Sequence, residues 1–300
     1  MKIIRVLLAG LFLCLFSTHF CFAQNNEIPL LRFGLITDTQ YANSNTDGSR
    51  YYRNSLKKIR ESISYFNDQK LPFTINMGDI IDRNFDDLDS VLNCLKHLDN
   101  KIYHLTGNHD YKGVTDNRKL YKKLSMPSEY YYFKKKDWVF IMLNTNEVAA
   151  YSNVAGTEKE QELLQMQSHI KATGGRQGAR WNGGISAQQL QWLDKLLAKC
   201  EKSGDKVLIF SHHPLYPNSE FTALNNIEIL ETIEKHSCVK AIFCGHHHAG
   251  KFAIYKGIPV VTAEGMIETA EDNSFGVVEI FKDKILLEGK GRMTSRVLTF

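Results

Sequence analysis

The sequence has no large excess of charge of either sign. Its 37 lysine and arginine residues and 33 acidic residues give a formal net charge of +4. Proteins that bind nucleic acid or anionic membranes through a charged surface carry a stronger imbalance, so the composition disfavours both kinds of partner. One short basic run, Lys134–Lys136, lies between two apolar segments and is predicted to form a solvated hairpin turn.

Long hydrophobic runs are also absent beyond the N-terminus. Two basic residues precede an uninterrupted apolar run, Val6–Phe16, and the segment Cys21–Ala23 comes directly before a polar stretch. This layout is typical of a cleavable secretory signal, whose apolar core is too short to span a bilayer comfortably. We therefore predict a signal peptide over residues 1–23 and a mature chain that begins near Gln24.

Removal of this signal would leave a nearly neutral protein. Taking Lys2 and Arg5 from the 37 basic residues leaves 35, against 33 acidic ones, for a net charge of +2. The prediction is an exported protein, periplasmic or secreted, with no stable membrane insertion after cleavage. An uncleaved N-terminal anchor is the alternative that the same residues leave open.

Cysteines are few for an exported chain. Two of the six, Cys14 and Cys21, lie within the predicted signal. The other four are Cys94, Cys200, Cys238 and Cys244. They allow three complete pairings, among which the sequence does not choose. Cys94 on a predicted helix and Cys244 at the end of an apolar strand both fit buried, small, apolar side chains, so a disulfide framework is not needed.

The rest of the chain alternates between short apolar runs and helical patterns. The runs with the length and composition of buried strands are Leu31–Ile36, Phe73–Asn76, Ile102–Leu105, Val139–Leu143, Val207–Phe210, Ala241–Phe243 and Ile258–Thr262. The helical patterns are Tyr51–Asp68, Asp87–Leu98 and Ala187–Cys200. Interleaving of this kind predicts one layered α/β domain over residues 24–300, without internal repeats.

Two stretches depart from this rhythm. Residues 147–185 form a polar insert with one predicted helix and a glycine-rich stretch, and we expect the insert to help select the substrate. The tail from Phe275 to Phe300 alternates between apolar and polar residues and is predicted to add strands. Capping boxes are predicted at two helix starts, Thr157 with Glu160 and Ser186 with Gln189.

Polar segments follow five of the predicted strands directly. In chain order they are Asp38-Thr39-Gln40, Gly78-Asp79, Gly107-Asn108-His109-Asp110, His212, and Gly245-His246-His247-His248. Open α/β sheets bind their ligands at the carboxyl ends of the strands, so these side chains are expected to converge on one edge. Each segment alone is compatible with an ordinary turn. Five in this order, each after an apolar strand, predict a functional site.

The residue types in this set suit a divalent metal centre. Carboxylate, amide oxygen and imidazole together favour Mn²⁺, Fe²⁺, Zn²⁺ or Mg²⁺. No cysteine joins the set, which argues against a structural thiolate site. A pair of such ions can activate water and neutralise the charge on phosphate oxygens, which would suit hydrolysis of a phosphorus–oxygen bond.

The ordered motifs resemble the calcineurin-like metallophosphoesterase superfamily. Most members carry D-x-H in the first motif, whereas this chain has Gln40 after Asp38. That D-x-Q form resembles the manganese-dependent ADP-ribose/CDP-alcohol diphosphatase family. Further segments similar to that family are Arg50–Leu56, Trp181–Ile185, Glu264–Thr269, and Gly291-Arg292 through Ser295-Arg296. The resemblance runs from about Phe33 to Arg296 and implies a four-layer α/β/β/α sandwich.

The resemblance also implies a role for the motif residues. The ligands of one ion would be Asp79, Asp38, Gln40 and His248, and those of the other would be Asp79, Asn108, His212 and His246. Asp79 would thus bridge both ions. His109 is similar to the catalytic histidine that protonates the leaving group or binds a phosphate oxygen. His213 and His247 occupy variable positions of their motifs and receive no role.

An activity and a cofactor follow from the same resemblance. The family hydrolyses the pyrophosphate bond of nucleotide diphosphates such as ADP-ribose and CDP-alcohols, giving a nucleoside monophosphate and a phosphorylated alcohol or sugar. Since an amide oxygen is a harder and weaker donor than imidazole, Gln40 favours Mn²⁺ or Mg²⁺ over Zn²⁺. Arg50, Arg53 and Arg180 are candidates for substrate binding, although a solvated helix face explains the first two equally well.

Other functions are compatible with parts of the pattern. A broad phosphodiesterase or phosphomonoesterase of the cell envelope would use the same site, because one fold and one metal pair serve many substrates. A non-catalytic binding protein is disfavoured by the complete motif set, and a nuclease by the near-neutral charge. The sequence leaves the oligomeric state open.

Overall fold

A computed structural model describes residues 27–300 of the chain. The predicted signal peptide lies outside these residues. Within them, no helix combines the length and the apolar character that crossing a bilayer requires. The four cysteines of this range are buried free thiols, as the sequence indicates for Cys94 and Cys244.

Twelve strands in this part of the chain form two six-stranded sheets. The first contains, in spatial order, β12 (Arg296–Thr299), β11 (Lys284–Gly291), β10 (Ser274–Ile280), β1 (Leu31–Ile36), β2 (Phe73–Asn76) and β3 (Lys101–His104). The second contains β4 (Tyr131–Lys135), β5 (Trp138–Met142), β6 (Lys206–Ser211), β7 (Val239–Cys244), β9 (Ile258–Thr262) and β8 (Lys251–Tyr255). Both sheets are mixed.

The parallel parts of the two sheets carry the predicted motifs. In the first sheet β1, β2 and β3 run parallel, and β10 to β12 continue it as an antiparallel meander. In the second, β5, β6, β7 and β9 run parallel between two antiparallel edge strands, β4 and β8. Since parallel strands end on the same side, the loops after them emerge together at one edge of each sheet.

Phenylalanine rings fill the space between the two sheets. Phe33 of β1 meets Phe140 of β5 edge to face, with ring centroids 5.6 Å apart, and it meets Phe210 of β6 at 6.1 Å. Phe73 of β2 contacts Phe140 in the same way at 5.3 Å. All four rings are fully buried, and edge-to-face pairs are a favourable aromatic geometry. The sheets therefore pack face to face.

Helices cover the outer face of each sheet. The six α-helices of residues 27–300 are α1 (Ser55–Asp68), α2 (Asp87–Leu95), α3 (Asn117–Lys123), α4 (Glu158–Thr173), α5 (Ala187–Ser203) and α6 (Asn226–Ile233). Helices α1 and α2 pack on the first sheet, with Phe66 of α1 directly against Gly34 of β1. Helices α5 and α6 bury Leu193, Leu197 and Ile229 against the second sheet. The α/β/β/α sandwich is confirmed.

The predicted strands are all present, and three of them have the predicted bounds. The tail adds β10, β11 and β12 as expected, and the basic run Lys134–Lys136 lies at the turn of the β4–β5 hairpin. Two α-helices and one strand were not predicted. Helix α3 buries only Leu120 and Tyr121, α6 spans eight residues, and β8 is an exposed edge strand, so none has a strong periodic signal.

Of the two predicted capping boxes, one does not form and the other forms in part. Thr157 precedes α4, but its hydroxyl donates to Val154 O, and Glu160 accepts from Gly156 N–H at 2.8 Å, so the predicted box is wrong. At α5, Ser186 Oγ accepts from the N–H of Gln189 at 3.1 Å as predicted. The side chain of Gln189 does not reach back to Ser186, whose N–H instead donates to the buried Glu147 at 2.9 Å.

Candidate metal centre

Four oxygen-bearing side chains lie in the loops that follow the parallel strands of the first sheet. Asp38 and Gln40 follow β1, Asp79 follows β2, and Asn108 follows β3. The first two loops run side by side, because Asp38 N–H donates to Gly78 O at 3.0 Å and Gln40 N–H donates to Asp79 O at 2.8 Å. This backbone pairing fixes the relative positions of the side-chain oxygens.

Three imidazoles come from the second sheet. His212 follows β6, and His246 and His248 follow β7. Gly245 N–H donates to His212 O at 2.9 Å, which holds the two loops together. The N–H of His246 is 3.2 and 3.1 Å from the two carboxylate oxygens of Asp38. This contact joins the loops of the two sheets.

Four residues of these loops have a left-handed backbone conformation. Asp38, Gln40, Asp79 and His246 have φ angles of 50°, 40°, 51° and 68°. Such conformations cost of the order of 1–3 kcal/mol each outside glycine, and they persist only where the surrounding structure holds them. The fold therefore maintains an unfavourable backbone at four of the seven candidate ligands, as is common at functional sites.

The candidate ligands form two groups that share one carboxylate. Ligand atoms of Asp38, Asp79 and His248 all lie within 4.8 Å of one another, and so do those of Asp79, His212 and His246. Asp38, Asp79 and His212 are almost fully buried. Asp79 belongs to both groups, which is the bridging position that the family resemblance implies.

Gln40 and Asn108 extend the two groups. Gln40 Nε2 donates to Asp79 Oδ2 at 2.7 Å, and Asn108 Oδ1 lies 3.2 Å from His212 Nε2. The other amide atom, Gln40 Oε1, is buried and has no hydrogen-bond partner within residues 27–300. A buried acceptor without a partner is costly unless something else satisfies it. The donor set and this free acceptor fit a pair of divalent cations.

Opposite charges determine the ionisation of the shared carboxylate. Burial would raise the pKa of Asp79, but the neighbouring His212 and His109 hold that pKa well below its usual range. Burial would lower the pKa of His212, yet the negative charge of Asp79 outweighs it and raises this pKa to about 9. Asp79 thus stays ionised although it is fully buried, which is the state that binding of a cation requires.

A second carboxylate orients His248. The ring Nδ1 of His248 lies 2.7 Å from Glu268 Oε1, and its Nε2 lies 3.4 Å from Asp38 Oδ1. The hydrogen bond from His248 lowers the pKa of Glu268 to about 2. Carboxylates that hold the outer nitrogen of a histidine fix its tautomer and leave the other nitrogen for the metal. Glu268 therefore presents Nε2 to the ligand group.

His109 is held by Asp82. Its Nδ1 lies 3.0 Å from Asp82 Oδ1, and Arg50 Nη1 lies 3.3 Å from the same oxygen. Burial would lower the pKa of His109, but the charges of Asp79 and Asp82 outweigh it and raise this pKa. With Nδ1 engaged, Nε2 is the ring atom that can donate a proton to a bound phosphate group.

A cavity of about 650 Å³ opens over both ligand groups and includes His109. Arg50, Lys112 and Arg180 bring positive charge to its lining. Tyr151, Trp181 and Phe221 bring aromatic surface. The volume lies within the range of small-molecule sites, and the combination suits a ligand with both anionic and planar parts.

Two of the three arginines predicted to bind substrate line the cavity. Arg50 and Arg180 line the cavity. Arg53 is exposed and donates to two asparagine side chains, Asn43 at 3.0 Å and Asn45 at 2.8 Å, away from the cavity lining. Arg53 therefore has the solvated position that the sequence left open as an alternative to substrate binding.

The two histidines that received no role are engaged elsewhere. His213 Nδ1 lies 2.9 Å from Thr145 Oγ1, and its Nε2 lies 3.1 Å from the carbonyl oxygen of Trp181. Burial lowers the pKa of His213 to about 3, so it is a neutral structural residue. His247 stacks on Phe221 with ring centroids 4.3 Å apart.

Several residues of the site were not found by sequence reasoning. Asp82 lies three positions after Asp79, and Glu268 lies in a segment that resembles the diphosphatase family, so both had a weak signal. Lys112 and Phe221 lie in loops without a pattern, and only the folded chain brings them to the cavity.

Two ligand groups that share a carboxylate, at the edges of two stacked sheets, define a dimetal phosphoesterase. Residues 31–250 match the model of the family described as calcineurin-like phosphoesterase, and the chain belongs to this family.

Among its relatives, proteins named manganese-dependent ADP-ribose/CDP-alcohol diphosphatase are similar along nearly their whole length. The one from Bos taurus is 32% identical, covering 90% of this chain and 94% of its own. The one from Oryza sativa is 31% identical, covering 91% and 95%. A solved dimetal phosphatase from Danio rerio superposes with a TM-score of 0.82 at 25% identity, covering 91% of this chain and 99% of its own.

Proposed function

We propose that this protein hydrolyses the pyrophosphate bond of nucleotide diphosphate compounds such as ADP-ribose and CDP-alcohols. The observation that carries the proposal is a pair of ligand groups sharing Asp79, within a cavity that also holds three cationic side chains. A nucleoside monophosphate and a phosphorylated alcohol or sugar are the products. Two divalent ions, with Mn²⁺ preferred over Mg²⁺, Fe²⁺ and Zn²⁺, are the cofactors.

The relatives support the substrate class. Mammalian and plant proteins that carry the diphosphatase name align with about nine tenths of this chain. The preference for Mn²⁺ is also supported by the chain itself, since the amide of Gln40 is a harder donor than imidazole.

Each part of the site has a function in this proposal. Two bound ions supply an activated water and neutralise charge on the phosphate oxygens. Arg50 and Arg180, which line the cavity, would bind the pyrophosphate through charge-assisted hydrogen bonds. His109, held at Nδ1 by Asp82, donates a proton or a hydrogen bond from Nε2 to the leaving phosphate. Burial of the ligand groups limits solvent screening of these interactions.

Hydrolysis of a small panel with added Mn²⁺ tests the proposal. The protein would start at Gln24, and the panel would contain ADP-ribose, CDP-choline, CDP-glycerol, bis(p-nitrophenyl) phosphate and p-nitrophenyl phosphate. We expect preferred release of AMP or CMP, loss of activity after exhaustive chelation, and recovery with Mn²⁺. Asp79→Asn, which removes the shared negative charge, should abolish turnover of every substrate.

Two results would contradict the proposal. Turnover of the nitrophenyl esters alone would agree with the metal centre but would favour a broad phosphodiesterase or phosphomonoesterase. Full activity in metal-free assay after chelation would remove the metal-dependent mechanism altogether.

We also infer that the protein is exported, and is periplasmic or secreted. The signal-like pattern of residues 1–23 supports this localisation. Fractionation of cells that express the full chain, with N-terminal sequencing of the product, tests it. We expect an exported chain that begins near Gln24, whereas a cytoplasmic chain beginning at Met1 would contradict the inference.

A further inference from the structure

Trp181 is an exposed aromatic residue at the mouth of the active-site cavity. Nine large apolar side chains within residues 27–300 are substantially exposed, and of these Trp181, at 49%, is the one that lines the cavity. A tryptophan side chain gains free energy when its faces leave water. An indole kept half exposed beside a polar site is therefore suited to contact a ligand.

Phe221 adds a second aromatic ring to the lining of the same cavity. It lies parallel to the ring of His247, at 4.3 Å between centroids and 12° between planes, and edge-on to His246 at 6.0 Å. These contacts fix the orientation of the phenyl ring without covering it fully, since Phe221 also lines the cavity. Trp181 and Phe221 are called the aromatic rim below.

One buried amide holds the aromatic rim in place. Asn182, which follows Trp181 in the chain, is 2% exposed. Its Nδ2 donates to Gln177 O and to Glu220 O, both at 2.7 Å, and Glu220 directly precedes Phe221. Its Oδ1 lies 3.1 Å from His246 Nε2. The same side chain therefore connects both segments of the rim to a candidate metal ligand.

The backbone of Trp181 is fixed independently. Its carbonyl oxygen lies 3.1 Å from Nε2 of the buried His213. Arg180, the preceding residue, also lines the cavity. A ligand whose planar end lies on Trp181 can thus place an adjacent phosphate within reach of the Arg180 guanidinium.

From this arrangement we propose that the aromatic rim binds the nucleobase of the substrate and so selects nucleotides over other pyrophosphates. The inference rests on the proposed function, because it names the part of a nucleotide diphosphate that the rim recognises. Bases of every kind have a planar face that stacks on aromatic side chains, so one rim accepts both adenine and cytosine.

The charges in the cavity distinguish this ligand from another with aromatic affinity. A quaternary ammonium, such as the choline end of CDP-choline, also binds aromatic faces. Arg50, Lys112 and Arg180 line the same cavity against one carboxylate, that of Asp79, so the net charge of the lining repels a cationic group. A neutral base is therefore the favoured occupant, with the choline end of the molecule directed elsewhere.

Calorimetric titration of the Mn²⁺-loaded enzyme tests the inference. The probes are CMP, ribose 5-phosphate and phosphocholine, and the variants are Trp181→Ala, Trp181→Phe and Tyr132→Ala. Tyr132 is a matched control, because it is 44% exposed on β4 and does not line the cavity. Melting temperatures of the variants would establish that all of them fold.

We expect Trp181→Ala to weaken CMP binding about tenfold, the usual size of one base–aromatic contact, and ribose 5-phosphate binding less than twofold. Trp181→Phe should retain most of the affinity for CMP, and Tyr132→Ala should change nothing. For hydrolysis of CDP-choline, Trp181→Ala should raise KM with little change in kcat.

Three outcomes would overturn the inference. They are equal weakening of CMP and ribose 5-phosphate, selective weakening of phosphocholine, and no change at all. The proposed function has a separate test, because hydrolysis of CDP-choline by the wild-type enzyme would support it whatever the titrations give. Selective CMP binding without hydrolysis of any nucleotide diphosphate would instead contradict the proposed function. It would still support base binding by the aromatic rim.

Discussion

Glu268 acts on the metal site through His248, from which its carboxylate lies at 2.7 Å. We predict that Glu268→Gln lowers Mn²⁺ affinity by about 10- to 100-fold, because the neutral amide orients the imidazole less strongly. Mn²⁺ titration followed by electron paramagnetic resonance would measure this directly. Glu271→Gln is the control, since its carboxylate is exposed and pairs with Lys57. Equal Mn²⁺ affinity in Glu268→Gln and wild type would contradict the prediction.

His109 should matter most where the leaving group is most basic. A leaving phosphate is less basic than a leaving alkoxide and needs less protonation. We therefore expect His109→Ala to reduce kcat/KM for an alkyl phosphodiester by about 100-fold or more, and that for CDP-choline by clearly less. Steady-state kinetics on the two substrates measure the difference. Equal losses would show that His109 acts mainly by binding phosphate.

His104 makes the stability of the protein sensitive to acid. Its ring is buried, its Nδ1 has no hydrogen-bond partner within the described residues, and burial lowers its pKa to about 4. An unfolded histidine has a pKa near 6.5. As pH falls from about 6.5 to 4, the unfolded chain therefore binds a proton that the folded chain excludes, and stability is lost.

Because of this histidine alone, the free energy of unfolding falls by about 2 kcal/mol between pH 7.5 and pH 5.0. Urea unfolding of wild type at the two pH values, compared with His104→Phe, would measure it. The variant should lose about 2 kcal/mol less on acidification, whereas His97→Gln, at an exposed position, should behave like wild type. An identical pH dependence in wild type and His104→Phe would rule out this role.

At the scale of single elements, the turns after the strands matter as much as the ligands in them. Gly107 follows β3, and a Cβ at this position would overlap Asp79 and the ring of His212. We predict that Gly107→Ala displaces these groups, reduces activity by more than about 100-fold, and lowers stability by about 1–3 kcal/mol.

A matched control for that substitution lies in the insert. Gly178 is exposed, and the nearest side-chain atom to an added Cβ is 3.3 Å away, on Ile170. Gly178→Ala should retain activity and stability close to wild type in the same assays and thermal melts. An active Gly107→Ala enzyme would mean that the two loops can separate without disturbing the site.

Elements with a strong periodic pattern could be predicted from the sequence. The buried strands β1, β2 and β9 consist of continuous apolar runs with polar ends, and their bounds agree with the structure to the residue. Edge strand β8 could not be found in this way, because its exposed side chains include Phe252 and Ile254 and show no alternation of burial. Exposure to solvent weakens the constraint that produces a pattern.

The candidate ligands were predictable for a similar reason, since each follows a strand and strand ends meet at one edge. The residues around them depend on long-range contacts. Phe221 reaches the cavity because Asn182, 38 positions from Glu220, binds the carbonyl oxygen of that residue. Nothing in the local sequence encodes such a contact.

At the scale of the whole molecule, the metal centre connects the two sheets. Asp38, Gln40, Asp79 and Asn108 extend from the first sheet, and His212, His246 and His248 extend from the second. An ion held by residues of both sheets must be released before the sheets can separate. Metal binding and global unfolding are therefore thermodynamically linked.

Mn²⁺ should consequently stabilise the folded protein. At a free concentration 100 times the dissociation constant, one site adds about 2.7 kcal/mol to the free energy of unfolding. For a chain of this size that raises Tm by about 5–10 °C. Calorimetry of the protein from Gln24 onward, with and without Mn²⁺, measures the shift. The matched variant is Asp79→Asn, which removes the carboxylate common to both groups and should lose most of the shift whatever its own Tm. An equal Mn²⁺-induced shift of Tm in both proteins would mean that the ions bind elsewhere. The metal centre would then not connect the two sheets.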